Sequence, residues 1–416
     1  MQGSNRSDRL ARVRALDSTL VKQARKVRIL SNLSWPVAVS EAFLVNWRAG
    51  RRVLPKPPAL TLDLSSRREG LVDTLGRLDR DDPLQGFMAR TAQSYIDATL
   101  MLESAGSPAF TQRSIAIYGE PTRRIHPDAP THLQAADSFL EVYTDRLPDR
   151  DPPTLTSEEA AQFLQGRIDE TFDDKPLPVQ VEPELSSLAT AGALRVRLRG
   201  NAVFSHTELE QLLQHEALVH SATSRNGRQQ PVLTCLSLGA PRTTCVQEGL
   251  ATLSEMITDA MDVHRLRRIA LRIRGVHAAL QGADFLQVFE LFLSGGQTES
   301  EAFHSAQRVF RGGDVRGGSV FTKDVIYIKG MLLTHTFLLK AIQGGKHELP
   351  LNLFAGRMTL RDALLLAPEF EDQTIASPRY APTWIRNTSR LSAFLSWTAF
   401  TNRVRLSHID IEALDG

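Results

Sequence analysis

The stretch HEALVH, His215 to His220, sets a glutamate beside the first of two histidines. Two imidazoles and a carboxylate form the donor set of metal-dependent hydrolases. Their usual H-E-x-x-H places the histidines four apart on one face of a helix. Here the spacing is five. On a regular α-helix that separates the two by about 140° of rotation and roughly 7.5 Å of rise. Two ring nitrogens, each about 2.0–2.1 Å from one zinc ion, cannot start so far apart. The extra residue is absorbed if one turn opens to i→i+5 hydrogen bonding, and such π-bulges are frequent at functional sites. The segment therefore predicts one of two things: a deformed helix that presents both rings to a metal, or two histidines serving as surface or capping groups.

A catalytic zinc takes a third protein ligand and keeps an open position for water. Downstream, TTCVQEGLATLSEMITDAM has apolar residues at helical spacing, Leu250, Leu253, Met256 and Ile257. Glu248 opens that helix, and Gly249 beside it lets another helix backbone come close. A carboxylate from a second helix completes the ligand set of His-His-Glu hydrolases, with Glu216 left as general base. Cys235 and Cys245 are the rival third ligands, although thiolates suit a closed structural site better. Both are equally readable as small buried apolar residues.

The flanking elements have the order such a site needs. Leu194, Val196 and Leu198 alternate with Arg195, Arg197 and Arg199, a strand with one apolar and one arginine face. Ser205-His206-Thr207-Glu208 is a capping box, and the stripe of Leu209, Leu212 and Leu213 leads into HEALVH. Upstream, helical patterns cover residues 7–30, 66–105 (broken at Asp81-Asp82-Pro83) and 133–147. RRVLPKPPALTLDL is a proline-punctuated connector, and Thr156 or Ser157 caps a further helix. This predicts a helical N-terminal region over 1–185 and a catalytic region over 186–416. The expected fold class is α+β, mostly helical, with a zincin-like core whose small sheet offers an edge strand before the motif helix.

HEALVH followed by VQEGLA resembles a bacterial protein family named for its Q-E-G-L-A motif. It is also similar to the catalytic domain of the microtubule-associated tyrosine carboxypeptidases. The similarity extends to RVFRGG (308–313) and FTKDVIYIKG (321–330). It covers most of the chain from about residue 20 for the bacterial family, and is concentrated after residue 190 for the tubulin enzymes. Those enzymes are zinc metallopeptidases that remove the C-terminal tyrosine from the acidic tail of α-tubulin. The resemblance implies zinc ligation by His215, His220 and Glu248, with Glu216 as base. Within the matching segments, Tyr327 is a candidate oxyanion donor or else a core tyrosine. Lys323, Arg308 and Arg311 are candidates for holding a substrate's terminal carboxylate, or else surface charges. An acidic peptide could add to the edge strand LRVRLRG, whose arginines equally serve to protect an edge. HRLRRIALRIRG (264–275) reads by default as a solvated helix face.

The 416 residues carry a net charge of +2, too mild to argue for nucleic acid. No apolar stretch reads as a signal peptide, and the most apolar windows stop short of the roughly 20 residues that span a bilayer. Two cysteines suit a reducing cytoplasm. The expected protein is thus a cytoplasmic zinc carboxypeptidase acting on a peptide or protein C-terminal tail, without nucleic-acid or membrane partners. Oligomeric state is not readable. The competing expectations are a zinc hydrolase of a non-peptide amide and a metal-stabilised regulatory protein without turnover.

Overall fold

The computed structural model describes residues 2–142, 147–172, 174–185 and 188–401. Helices dominate. The early ones follow the sequence pattern: Gln2–Ala24, Ser65–Gly76, Pro83–Glu103 and His132–Glu141. The break at Asp81-Asp82-Pro83 is a helix start, with the Asp82 carboxylate accepting from the backbone N–H groups of Leu84 and Gln85 and Pro83 at the first helical position. Capping boxes form at Thr156 with Glu159 and at Ser205 with Glu208, as their sequences dictate. The last residues expected in the helix ending at Leu147 (143–146), the junction at 186–187 and the segment 402–416 lie outside the described residues.

Five short strands form two small sheets. β1 (Leu155–Thr156) pairs antiparallel with β5 (Val203–Phe204). β2 (Val179–Glu182), β4 (Val196–Arg199) and β3 (Ala189–Ala191) form the other sheet, in the order β2-β4-β3. One expectation is corrected here. The arginine-bearing strand is central, not an edge, because β2 pairs parallel on one side and β3 antiparallel on the other. Its backbone is therefore spent within the sheet and cannot accept a peptide. Its arginines are engaged too: Arg195 donates to Gln180, Arg197 to Glu182 and Arg199 to the Leu185 carbonyl. Val196 and Leu198 are buried as the alternation requires, whereas Leu194 lies before the strand and is exposed.

The motif helix sits on the seam between two cores. The larger core runs from Val13 to Leu395 and includes Val219 and Leu250. The smaller packs helix Ser157–Asp169 and β4 against Leu209, Leu213, Ala217 and Ala222. Two buried side chains tie a distant segment to this helix. Asn226 donates to the carbonyls of Phe354 and Tyr380, and Gln230 donates to those of Ala355 and Ala376. Lys323–Gln343 is, by length and composition, long and apolar enough to cross a membrane, beyond what the sequence windows suggested. In this fold it begins with a buried lysine–glutamate pair and packs tightly on another helix.

Candidate metal centre

The segment between the Ser205 cap and Arg228 is continuous helix, but Leu213–Ser221 is wound as π-helix. That is the deformation the five-residue spacing demands. The His215 and His220 rings come to 4.8 Å between centroids, nearly perpendicular. The wider turn leaves carbonyls needing donors, and they find them. Arg357 Nη2 donates to the His220 carbonyl at 3.2 Å, and Thr223 Oγ1 lies 2.8 Å from the Val219 carbonyl.

Glu248 arrives from helix Pro241–Ile257. That helix starts seven residues earlier than the sequence reading placed it, because Pro241 occupies its first position. Gly249 has the role expected of it. A Cβ there would fall on the backbone of Gly330, in helix Ile326–Gln343, and one at Gly330 would fall on the Cys245 carbonyl. This crossing delivers Lys323, just before the second helix, to Glu248.

One donor atom from each of His215, His220 and Glu248 lies within 4.8 Å of the others. His215 Nε2 is 3.4 Å and His220 Nε2 is 3.8 Å from Glu248 Oε2. The two carboxylate oxygens of Glu248 are not equivalent. Oε1 accepts from Lys323 Nζ at 2.7 Å, while buried Oε2 has no hydrogen-bond partner among the described residues. A buried acceptor without a donor is unfavourable unless something positive occupies the gap. Two imidazole nitrogens around one orphan carboxylate oxygen fit a divalent cation of zinc's preferences. Neither cysteine joins this group. Cys235 is buried, and burial, with Asp17 close by, pushes its thiol well up; Cys245 contacts the Ile326 carbonyl.

Behind His215 stands a residue the motif reading did not find. Glu255 Oε1 accepts from His215 Nδ1 at 2.6 Å, and Arg265 holds the same carboxylate through Nε and Nη2, each at 3.0 Å. Burial works against the charge on Glu255, but Arg265 and His215 outweigh it and hold its carboxyl at about 2. Burial likewise opposes an imidazolium at His215, yet the facing carboxylates of Glu248 and Glu255 raise it to about 10. Such a carboxylate–histidine pair fixes which nitrogen faces a metal. The one available signal was spacing: Glu255 follows Glu248 by seven residues, two turns along the same face. Glu216 is half-buried beside the cluster, between His215 and the π-wound residues that follow.

The remaining candidates form a cationic wall. Arg308 grips Asp324 through two contacts of 2.7 and 2.5 Å, and also donates to the Tyr327 hydroxyl at 3.2 Å. Lys323 lies 3.4 Å from the same hydroxyl. Tyr327 is therefore both buried in the core and joined through Lys323 to Glu248. Arg311 lies 5.2 Å over the Phe321 ring, and its buried Nε and Nη2 have no acceptor among the described residues. HRLRRIALRIRG is not a solvated face throughout, which corrects the default reading. Arg265, Arg268 and Arg272 recur at helical spacing and are only partly exposed, with Arg265 paired to Glu255 and Arg268 to Glu301. Arg272 has no ion-pair partner within reach among the described residues. Burial, then the charge of Arg308, lower it to about 9.

These observations define a mostly helical α+β protein with a buried His-His-Glu cluster, a half-buried glutamate beside it and a surplus of arginine around it. The family sequence profile of the microtubule-associated tyrosine carboxypeptidases matches residues 47–403, and the chain belongs to that family. Its membership supports a peptidase of carboxypeptidase type acting on a peptide or protein. A search of curated proteins gives no significant match.

Proposed function

We propose that the protein is a zinc-dependent carboxypeptidase with a zincin-like core that releases the C-terminal residue, tyrosine by the family's name, from a peptide or protein tail. One observation carries the metal: the unpartnered, buried Glu248 Oε2 between two imidazoles. His215, His220 and Glu248 would hold the ion. Zinc bound there would polarise a carbonyl and acidify water. Lys323 anchors the other oxygen of Glu248, so this carboxylate is offered through one atom. Glu255 and Arg265 orient His215. Glu216 takes a proton from the attacking water and hands it to the leaving amine, the division of labour its position beside His215 supports.

A terminal carboxylate needs a cation not already neutralised. Lys323 and Arg308 are committed to Glu248 and Asp324, which leaves Arg311, Arg272 and Arg357 as cations without an ion-pair partner among the described residues. Tyr327, fed by two cationic donors, is the oxyanion candidate. The reading places the protein in the cytoplasm.

The test combines metal analysis with turnover on peptides that differ only in their last residue. Wild type should carry one zinc per chain and release a terminal tyrosine, but not from the amidated peptide. Glu216→Gln should keep the zinc and lose roughly 10²–10⁴ in kcat, and His215→Ala should lose the zinc. Full hydrolytic activity in Glu216→Gln would refute the mechanism.

A further inference from the structure

A cavity of about 640 Å³ lies away from the histidine cluster, among helices Ser65–Gly76, Pro83–Glu103, Pro108–Tyr118 and the start of Pro241–Ile257. Four arginines line it, Arg80, Arg90, Arg113 and Arg242, against one lining acid, Asp97. Their charge is not balanced from behind. Arg90 and Arg242 converge on a single buried carboxylate, Asp362, at 3.0 and 2.6 Å. That carboxylate also accepts from the Thr359 backbone as a helix cap, so its lone pairs are taken. Arg80 and Arg113 are exposed and have no carboxylate within ion-pair reach among the described residues. Asp97 is partly spent on Gln93, which donates to it at 3.0 Å.

Arg242 Nη1 is buried with no acceptor among the described residues, while its other terminal nitrogen holds Asp362. The Arg242 backbone N–H donates to Ser94 Oγ, which ties the cavity to the first turn of the helix that carries Glu248 and Glu255. Leu75, Ala89 and Ile117 supply an apolar side. Small-molecule sites have this size and this mixture of apolar wall and few charged groups.

We propose that this cavity binds a small polyvalent anion bearing phosphate or clustered carboxylates, held by Arg80 and Arg113, with Arg90 and Arg242 adding positive charge to its wall. Planar guanidinium groups suit both anion types. A volume of about 640 Å³ is that of a small-molecule site, which favours a small anion over an extended polypeptide.

Calorimetric titration of the full-length protein with pyrophosphate and with citrate tests this. Both probes also chelate zinc, so the site is read from the difference between wild type and the double variant below, a comparison independent of the peptidase reading. At least one probe should bind saturably at one site per chain. The pair Arg80→Gln with Arg113→Gln, both at exposed positions and checked for an unchanged fold by circular dichroism, should weaken that binding by roughly tenfold or more through two lost charge-assisted contacts. Arg48→Gln, an exposed arginine outside the cavity, should leave it unchanged. Absence of saturable binding, equal weakening by Arg48→Gln, or undiminished affinity in the double variant would overturn the proposal. So would binding of a glutamate-rich peptide with neither small anion, which would make the cavity a polypeptide-docking surface.

Discussion

Two helices build the His-His-Glu cluster, and they do it by opposite means. Leu213–Ser221 abandons regular winding so that residues five apart share a face. Pro241–Ile257 stays regular, and Glu248 and Glu255, seven apart, share a face to within about 20° without any distortion. The distorted helix needs extra donors: Arg357 from outside and Thr223 from its own next turn serve its carbonyls, and Asn226 and Gln230 fasten its continuation to the chain around residues 354–380. The regular helix needs only close approach, which Gly249 and Gly330 allow. Winding a helix irregularly thus solves a spacing problem but creates a hydrogen-bonding one, and the surrounding fold has to absorb it. The regular helix supplies both the carboxylate of the candidate site, Glu248, and the support for one of its histidines, Glu255, at little structural expense.

If that contrast is right, point changes on the regular helix do the most damage. Glu248→Gln comes first. It removes the proposed carboxylate ligand and leaves Lys323 buried without its counter-charge, and breaking one side of a buried pair costs about 3–5 kcal/mol. Zinc content should fall to background, and the urea midpoint should drop with it. Gly249→Ala follows, forcing the helix backbones apart, with a loss of about 1–3 kcal/mol by the measure of overpacked cores. Equilibrium unfolding checks it, and an unchanged midpoint would mean the two helices are not in contact there. Glu255→Gln also leaves a buried cation, Arg265, without its counter-charge and should lower the urea midpoint. It should weaken zinc affinity by about 10–100-fold, the usual penalty for removing a carboxylate behind a histidine ligand of the kind proposed here. Competition against a chromogenic chelator measures this. No change would show that Arg265 and Glu255 serve packing alone.

How much of this was written in the sequence follows the same division. Spacing rules gave His215, His220 and their π-turn, because an extra residue between two ligands has few geometric solutions. They also gave the caps at Thr156 and Ser205, which depend on side chains three residues apart. Gly249 was legible as a point of close approach, but its partner Gly330 was not. Glu255 stayed hidden because its role depends on Arg265, in the next helix, and nothing local distinguishes a glutamate that orients a ligand from one that faces water. Arg272 misled for the converse reason: arginine-rich helical spacing reads as solvated unless the fold brings acids and other cations over it. The central position of β4 was unreadable, since β2 and β3, at four and three residues, are too short to announce themselves as its neighbours.

The smallest effect belongs to the change that looks most drastic, deletion of Leu218. It turns HEALVH into HEAVH and restores a four-residue spacing. A π-turn absorbs its extra residue locally, so the helix before Leu213 and the helix after Ser221 keep their register when that residue is removed. Asn226 and Gln230 should still reach their carbonyls around residues 354–380. Both imidazoles should still face Glu248, now from a regular turn. The losses are Leu218's partial packing against the smaller core and the contacts that Arg357 and Thr223 make with the opened carbonyls. Zinc affinity should therefore change by less than about tenfold, below the effect expected for Glu255→Gln. Metal competition, with circular dichroism to confirm folding, decides it. A folded deletion variant that had lost its zinc would show that the widened turn sets the ligand geometry itself, and that the distorted helix is as unforgiving as the regular one.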